Sequence, residues 1–237
     1  MENADFFQRT ELLLGAAAMD TLAQTRVLLV GTGGVGSWCA EALVRTGVGR
    51  LALVDADRVC ASNVNRQLMA TSATLGEPKV EALARRLREI SPAADISSVE
   101  GVYSADTAAT FKLEEFDYVI DAIDSVADKA HLIRHALAVP SVTLFSSMGA
   151  ARKLDPFRIR MSEFWKVQGD GLARALRTRF RKSGEFPARK FTCVWSDEPP
   201  RAEAGTVMHV TAAFGLALAS LVVRTVCAKS GTAPVQG

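Results

Sequence analysis

Two kinds of apolar pattern alternate along this chain. Short strand-like runs at 27–30, 51–55, 96–99, 118–121 and 142–145 have the length and composition of buried strands. Between them lie stretches that read as helices: one or two over 5–24, then one from Ser37 to Gly47, one in KVEALARRLREI, one near 105–111 and one over 126–137. Pro78 suits the first turn of KVEALARRLREI, and the Ser91-Pro92 step ends it. Strand–helix alternation of this kind predicts an α/β fold built on a doubly wound, mainly parallel sheet.

Later segments add detail. LDPFRIRMSEF reads as a further, antiparallel strand. The segment 206–228 contains VMHVTAAFGLALASLVV, which carries no formal charge and nearly the length needed to span a bilayer. Gly215, repeated alanines, His209 and the closing Arg224 favour a buried packing helix instead. His209 is then a core or interface histidine, and no membrane insertion is expected. SGTAPVQG (230–237) reads as a disordered tail, and 1–237 as a single domain with a helical entry at 5–24.

Composition narrows the class rather than the function. With 49% hydrophobic and 23% charged residues the chain is globular, and its net charge of +2 says nothing about nucleic acid. MENADFFQRTELLLG lacks a cleavable apolar run, so export is not expected. Cys39, Cys60, Cys193 and Cys227 are far apart and form no Cys-x-x-Cys pair. That argues against structural zinc and for a reducing, cytoplasmic setting. Cys193 is the thiol a catalytic reading would choose. Only Arg189 and Lys190 lie near it in sequence and no histidine does, so an inert cysteine is preferred.

The chemistry is concentrated in three places. VLLVGTGGVGS carries Gly31, Gly33 and Gly36 in the G-x-G-x-x-G spacing, with Gly34 beside them. Gly31 permits a sharp turn after the first strand. Gly33 and Gly34 let backbone N–H groups approach a phosphate, and the helix that Ser37 opens points its positive end at the same place. Asp55 ends the second strand, where an acid can bond a ribose hydroxyl, which suggests a Rossmann-like nucleotide site. The next residues go beyond a nicotinamide site. Asp57, Asn63, Arg66, Gln67 and Lys79 follow closely, and YVIDAIDS runs a buried strand into Asp121 and Asp124. Cations suit a triphosphate and an acid beyond a strand end suits Mg²⁺, so ATP and a metal fit better than NAD. Any one of these charges alone is an ordinary surface residue. Together they fall at the carboxyl ends of successive strands, where open sheets bind ligands.

GTGGVGS, VDAD, SNVNRQ, the lysine of GEPK and DAIDS together resemble the ubiquitin-activating-enzyme-like (E1-like) adenylyltransferases. FFQRTELLLG resembles the family's entry motif, with Arg9 at its arginine and Phe6 where a second basic residue is usual. Within the family the order of TRVLLVGTGGVGSWCAEALVRTGVG, SNVNRQLMA, YVIDAIDSVADKAHL, LDPFRIRMSEF, DGLARALRTRFR and CVWSDE is similar to the tRNA threonylcarbamoyladenosine dehydratase branch. The likeness runs to Arg224, with a shorter region between Asp197 and Gly205 and SSMGAA where the branch has more glycine. The resemblance implies an E1-type adenylation fold that uses ATP and Mg²⁺ on tRNA carrying threonylcarbamoyladenosine. It implies that Gly31, Gly33, Gly34, Gly36, Asp55 and Asp57 seat the nucleotide, that Asn63, Arg66, Gln67 and Lys79 surround the phosphates, and that Asp124 holds the metal. It also implies a homodimer in which Arg9 reaches the partner's site, and, in some relatives, a cysteine-desulfurase sulfur-acceptor system alongside.

Charge distribution adds to the tRNA expectation. Residues 151–190 hold twelve Lys/Arg against four Asp/Glu, net +8, so the rest of the chain carries −6. Arg174, Arg177, Arg181 and Lys182, with Arg179 near them, have helical spacing and read as a phosphate-contact face, the alternative being a solvated helix surface. Two other functions compete. One is adenylation of the C-terminal glycine of a ubiquitin-like carrier protein, against which stand the missing cysteine pairs and the basic segment. The other is a non-catalytic or NAD-binding module, against which stand Arg66, Lys79 and Asp124.

Overall fold

Alternation inside the first apolar run sets the architecture. In the computed structural model, which describes residues 6–231, β1 (Arg26–Val30) sends Val27 and Leu29 to one face and Leu28 and Val30 to the other. Both faces are therefore buried, which requires helices on each side. β1 is central in a seven-stranded sheet of order β3-β2-β1-β4-β5-β7-β6. Its members are β2 (Arg50–Asp55), β3 (Asp95–Glu100), β4 (Tyr118–Asp121), β5 (Thr143–Ser147), β6 (Ile159–Glu163) and β7 (Thr192–Ser196). All pairs are parallel except β6 with β7. LDPFRIRMSEF thus supplies the expected antiparallel strand, at the sheet edge. β7 inserts between β5 and β6, a placement its five residues do not announce.

Helices α1 (Gln8–Leu14) and α2 (Ala16–Gln24) divide the entry region at Gly15. With α3 (Gly36–Arg45), α4 (Lys79–Ile90) and α7 (Met208–Lys229), α2 buries apolar side chains on one face of the sheet. α5 (Val126–Ala138) and α6 (Gly171–Ser183) cover the other. Pro78 lies at the N-cap of α4, one position before the expected first turn. The helix expected near 105–111 is reduced to a 3₁₀ turn at Ala108–Thr110. Thr107 is the reason: its hydroxyl accepts from the Ser104 N–H and donates to the Val102 carbonyl, competing with helical bonding. The tail expected at 230–237 lies, beyond Gly231, outside the described residues.

α7 has the length and composition of a membrane span, with mean hydropathy 1.9 over an 18-residue window. Here Val210, Phe214, Leu218 and Val222 are buried in the core, and α7 crosses α3 at close range. Gly215 makes that approach possible, since a Cβ there would stand 2.3 Å from the Val35 carbonyl oxygen and 2.8 Å from the Cys39 nitrogen. The expected packing role of this helix is the observed one. Of the two places expected for His209, the core is excluded: it is exposed at the start of α7, with Nε2 2.8 Å from the Leu154 carbonyl. Substituting Gly215→Ala should force α3 and α7 apart and lower the unfolding free energy by about 1–3 kcal/mol, as overpacking does, read from urea denaturation.

Candidate active site

Loops at the carboxyl ends of the parallel strands enclose a cavity of about 500 Å³. It opens where β1 is followed by β2 on one side and β4 lies on the other, the switch point of an open α/β sheet. The first wall is the glycine loop after β1. Gly31 adopts φ +93°, and a Cβ there would come 2.6 Å from the Ala122 carbonyl oxygen, so only glycine lets the β1 and β4 loops interlock. Gly31, Gly33 and Gly34 line the cavity; Gly36 does not. A Cβ on Gly36 would fall 1.8 Å from the Gly31 carbonyl oxygen, so its task is to let the first turn of α3 close onto the loop. The Ser37 hydroxyl reinforces that turn, donating to the Gly33 carbonyl at 2.7 Å and accepting the Leu68 N–H at 3.2 Å.

Asp55 faces the same space from the end of β2. Its Oδ2 accepts the Thr32 N–H at 2.7 Å and the Thr32 hydroxyl at 2.9 Å, and its Oδ1 accepts the Asp57 N–H at 2.9 Å. One acceptor direction on Oδ1 stays open for a hydroxyl donor. Asn63, Arg66, Gln67 and Lys79 all line the cavity. Lys79 is buried, and its ammonium sits 2.7 Å from the exposed Asp57 carboxylate. Arg66 donates from Nη1 to the Ser62 carbonyl at 2.8 Å and to Asn65 Oδ1 at 2.9 Å. The Asn63 side chain accepts the Cys60 N–H at 3.1 Å, which shapes the turn carrying Arg66. Gln67 lines the cavity, and its Oε1 is buried with no hydrogen-bond partner. A Cβ on Gly33 would meet only Gln67 Nε2, at 3.8 Å, so the backbone there lies open to a ligand.

The loop after β4 supplies the carboxylates, and the structure separates their roles. Asp124 is exposed at the cavity rim. Asp121 is fully buried against Lys129, also fully buried, at 2.9 Å. Asp121 further accepts the Ser146 hydroxyl at 2.7 Å and the Ile123 N–H at 3.1 Å, while Lys129 donates to the Ile123 carbonyl at 3.0 Å. The pair therefore clamps the 121–124 loop that presents Asp124. Lys129 was not singled out from sequence, although it falls at helical spacing with Ala130, Ile133 and Ala136 on the buried stripe of α5, where a lysine demands a partner. Tyr103 was likewise missed. It lines the cavity with its hydroxyl 2.7 Å from His135 Nδ1 and 3.3 Å from His131 Nδ1, and burial pushes its pKa up.

The far end of the cavity is closed by residues 149–151 and Thr206. The shortened region between Asp197 and Gly205 does not line this cavity but is tied to the segment just after Ala151, a residue that does. Arg152, at φ +65°, donates its backbone N–H to the Gly205 carbonyl at 2.8 Å and accepts the Arg201 N–H at 3.0 Å. Asn65 Nδ2 donates to the Thr206 carbonyl at 3.0 Å. Arg9 lies elsewhere: it is exposed on α1, and Phe7 beside it approaches Gly47, at the opposite end of the sheet from the glycine loop. Cys193 is buried in β7, and burial pushes its thiol up to about 12, which disfavours the thiolate.

The basic segment divides. Arg177 was expected on the outer face, but its guanidinium turns inward, donating to the Val167 carbonyl at 3.0 Å and sitting 5.7 Å over the Phe164 ring. Arg189 donates to the Leu137 carbonyl in the last turn of α5 and to the Val139 carbonyl just after it, and Arg158 and Arg160 pair with Asp197. Arg174, Arg179, Arg181 and Lys182 are exposed on α6 with no ion pair among the described residues.

A nucleotide fits this cavity chemically, with a glycine cradle, an orphaned acceptor and two cations. Mg²⁺ fits Asp124: it needs only one or two carboxylates when phosphates and water complete its shell. Among the described residues no group of three or more His, Cys, Asp or Glu could hold an ion alone.

A model of the ThiF family matches residues 7–236. A tRNA threonylcarbamoyladenosine dehydratase of Bacillus subtilis is 41% identical over 194 residues, 82% of this chain and 75% of that protein. The crystal structure of the Escherichia coli tRNA N6-threonylcarbamoyladenosine dehydratase in complex with ATP superposes with a TM-score of 0.89 at 35% identity, covering 96% of both chains. The same enzyme in complex with AMP gives a TM-score of 0.90 at 36% identity and 95% coverage of each. The E. coli molybdopterin-synthase adenylyltransferase is 38% identical, but over 113 residues, 48% of this chain and 45% of that protein.

Removing one partner of a buried ion pair strands the other charge. Lys129→Met should therefore lower stability by about 3–5 kcal/mol in urea unfolding. Adding Asp121→Asn to the same chain should recover a large part of that loss.

Proposed function

The chain belongs to the ThiF family, and on that premise we propose that it is an ATP-dependent tRNA-modifying dehydratase. It converts N6-threonylcarbamoyladenosine beside the anticodon to its cyclic form by way of an acyl-adenylate. What carries the reading is the extent of the likeness: the chain is 41% identical to the B. subtilis dehydratase over 82% of its own length, against 31% over 63% for a sulfur carrier protein adenylyltransferase of Thermus thermophilus, and the ATP-bound E. coli dehydratase superposes over nearly the whole of both chains.

The chemistry follows from the leaving group. The oxygen of a free carboxylate is too poor a leaving group for the modification's own nucleophile to displace at neutral pH. Attack of that carboxylate on the α-phosphate of ATP releases pyrophosphate and leaves an acyl phosphate anhydride. Intramolecular attack then closes the ring and expels AMP, with net loss of one water. The protein's share is orientation and charge compensation. We assign Gly31, Gly33 and Gly34 to backing the phosphates, with Gly36 allowing the loop to close, and the open oxygen of Asp55 to the ribose. Lys79 and Arg66 are assigned to the phosphates, with Asp57 holding Lys79 in the resting state and Asn63 and Gln67 completing the wall. Asp124 would hold Mg²⁺, which neutralises the charge that builds up as pyrophosphate leaves.

Arg9 cannot serve the cavity of its own chain from where it lies, so we assign it to the site of a second copy. α1 supports that arrangement, because it exposes Leu12 and Leu13 beside the arginine. A reducing cytoplasm suits the four free thiols.

Incubation with ATP, Mg²⁺ and threonylcarbamoylated tRNA should release AMP and pyrophosphate, and mass spectrometry should find the nucleoside lighter by one water. Lys79→Ala and Arg66→Ala should each cut the rate at least about a hundredfold at unchanged melting temperature. An unaltered nucleoside mass, with a carrier protein's C-terminal glycine adenylated instead, would transfer the assignment to the rival activity. Subunits bearing Arg9→Ala mixed with subunits bearing Lys79→Ala should regain one working site per heterodimer; verified exchange without recovery would place Arg9 outside the chemistry.

A further inference from the structure

We propose that Trp165 and Phe186 form a stacking platform for an unpaired RNA base beside the free cations of α6. Trp165 lies in the 3₁₀ turn Phe164–Lys166 that follows β6, and Phe186 lies in the loop after α6. Large aromatic rings belong in the core, yet these are 39% and 53% exposed, with centroids 6.2 Å apart. The platform is held from beneath. Phe164 is fully buried and packs edge-on against Trp165 at 5.1 Å, and Arg177 lies over the Phe164 ring with its guanidinium tied to the Val167 carbonyl. The Glu163 side chain fixes the turn by accepting the Trp165 N–H at 3.1 Å. Exposed rings on a braced support can receive a flat ligand with little ordering cost.

The surrounding charge selects the partner. On α6 the flank next to Arg177 carries Arg174 and Arg181, both exposed and unpaired among the described residues. Lys166 is exposed beside Trp165 itself. Aromatic faces among unpaired cations are the recognition chemistry of single-stranded nucleic acid, where each stacked base contributes ~1–3 kcal/mol. The spacing agrees. Leu172 of α6 lines the nucleotide cavity, and Phe180, which the Trp165 ring touches, is eight residues further on, roughly 12 Å along the axis. A base a few nucleotides from the reacting adenosine can reach that far when a loop is splayed. The inference rests on the tRNA reading above for its polyanion, and it adds the recognition of a neighbouring loop base by Trp165 and Phe186.

Binding of an anticodon stem–loop RNA, measured by fluorescence anisotropy, tests this apart from turnover. Trp165→Ala and Phe186→Ala should each weaken binding at least about fivefold with unchanged melting temperature and unchanged KM for ATP. Trp165→Phe should keep the affinity but lose the quench of tryptophan emission that the wild type shows on binding. Arg174→Gln with Arg181→Gln should flatten the salt dependence and keep the quench. Alanine variants that bind the RNA as tightly as the wild type overturn the platform, even if the wild type dehydrates tRNA. If those variants also sediment as a smaller species, the rings belong to a contact between copies of this chain. A wild type that binds through these rings yet removes no water keeps the platform and overturns the dehydratase reading instead.

Discussion

The buried pair between Asp121 and Lys129 is the constraint around which the site is organised. Neither charge reaches solvent, so each is tolerable only while the other is present. Their remaining hydrogen bonds go to Ile123 and Ser146, tying together the end of β4, the start of α5 and the neighbouring β5. The Ala122 carbonyl held in this way is the atom that Gly31 passes at a distance no Cβ permits. The glycine loop and the loop of Asp124 therefore have one geometry between them. A site for a highly charged ligand needs such a rigid base, because electrostatic complementarity is lost when the groups that supply it reorganise.

The polar groups above that base are satisfied at rest, but by partners that a ligand can replace. Lys79 is paired with an exposed carboxylate, Asp57, and Arg66 with a carbonyl and an amide oxygen. Exchange of these partners for phosphate oxygens, as proposed above, would keep the cations compensated before and after. The exception is Gln67 Oε1, buried without a donor, which marks the wall where a ligand hydrogen bond has most to contribute.

The basic segment shows why a charge run cannot be read as a surface. Arg152, Arg158, Arg177 and Arg189 spend their guanidinium groups on internal partners: the Ala202 carbonyl, the Asp197 carboxylate, the Val167 carbonyl and the Leu137 carbonyl at the end of α5. The cations left on α6 form a smaller and better-placed group than the composition suggests.

Local sequence was enough to determine much of this protein. The short apolar runs and LDPFRIRMSEF placed six of the seven strands, and the glycine spacing with the acid and the cations after it named residues that line one cavity, because those features depend on backbone geometry a few residues long. Tertiary structure alone decided the rest. β7 lies between β5 and β6 because of pairing across long separations, and five residues carry no signal for that. Asp121 and Asp124, three residues apart in one motif, took opposite environments, one buried and one exposed, only when α5 brought Lys129 under the first. Arg177 and Arg181, one helical turn apart, parted when the 3₁₀ turn at Phe164 offered carbonyls and a ring to the first and nothing to the second. In each case residue type set the chemistry available, and the neighbour across the fold, unseen along the chain, set how it was used.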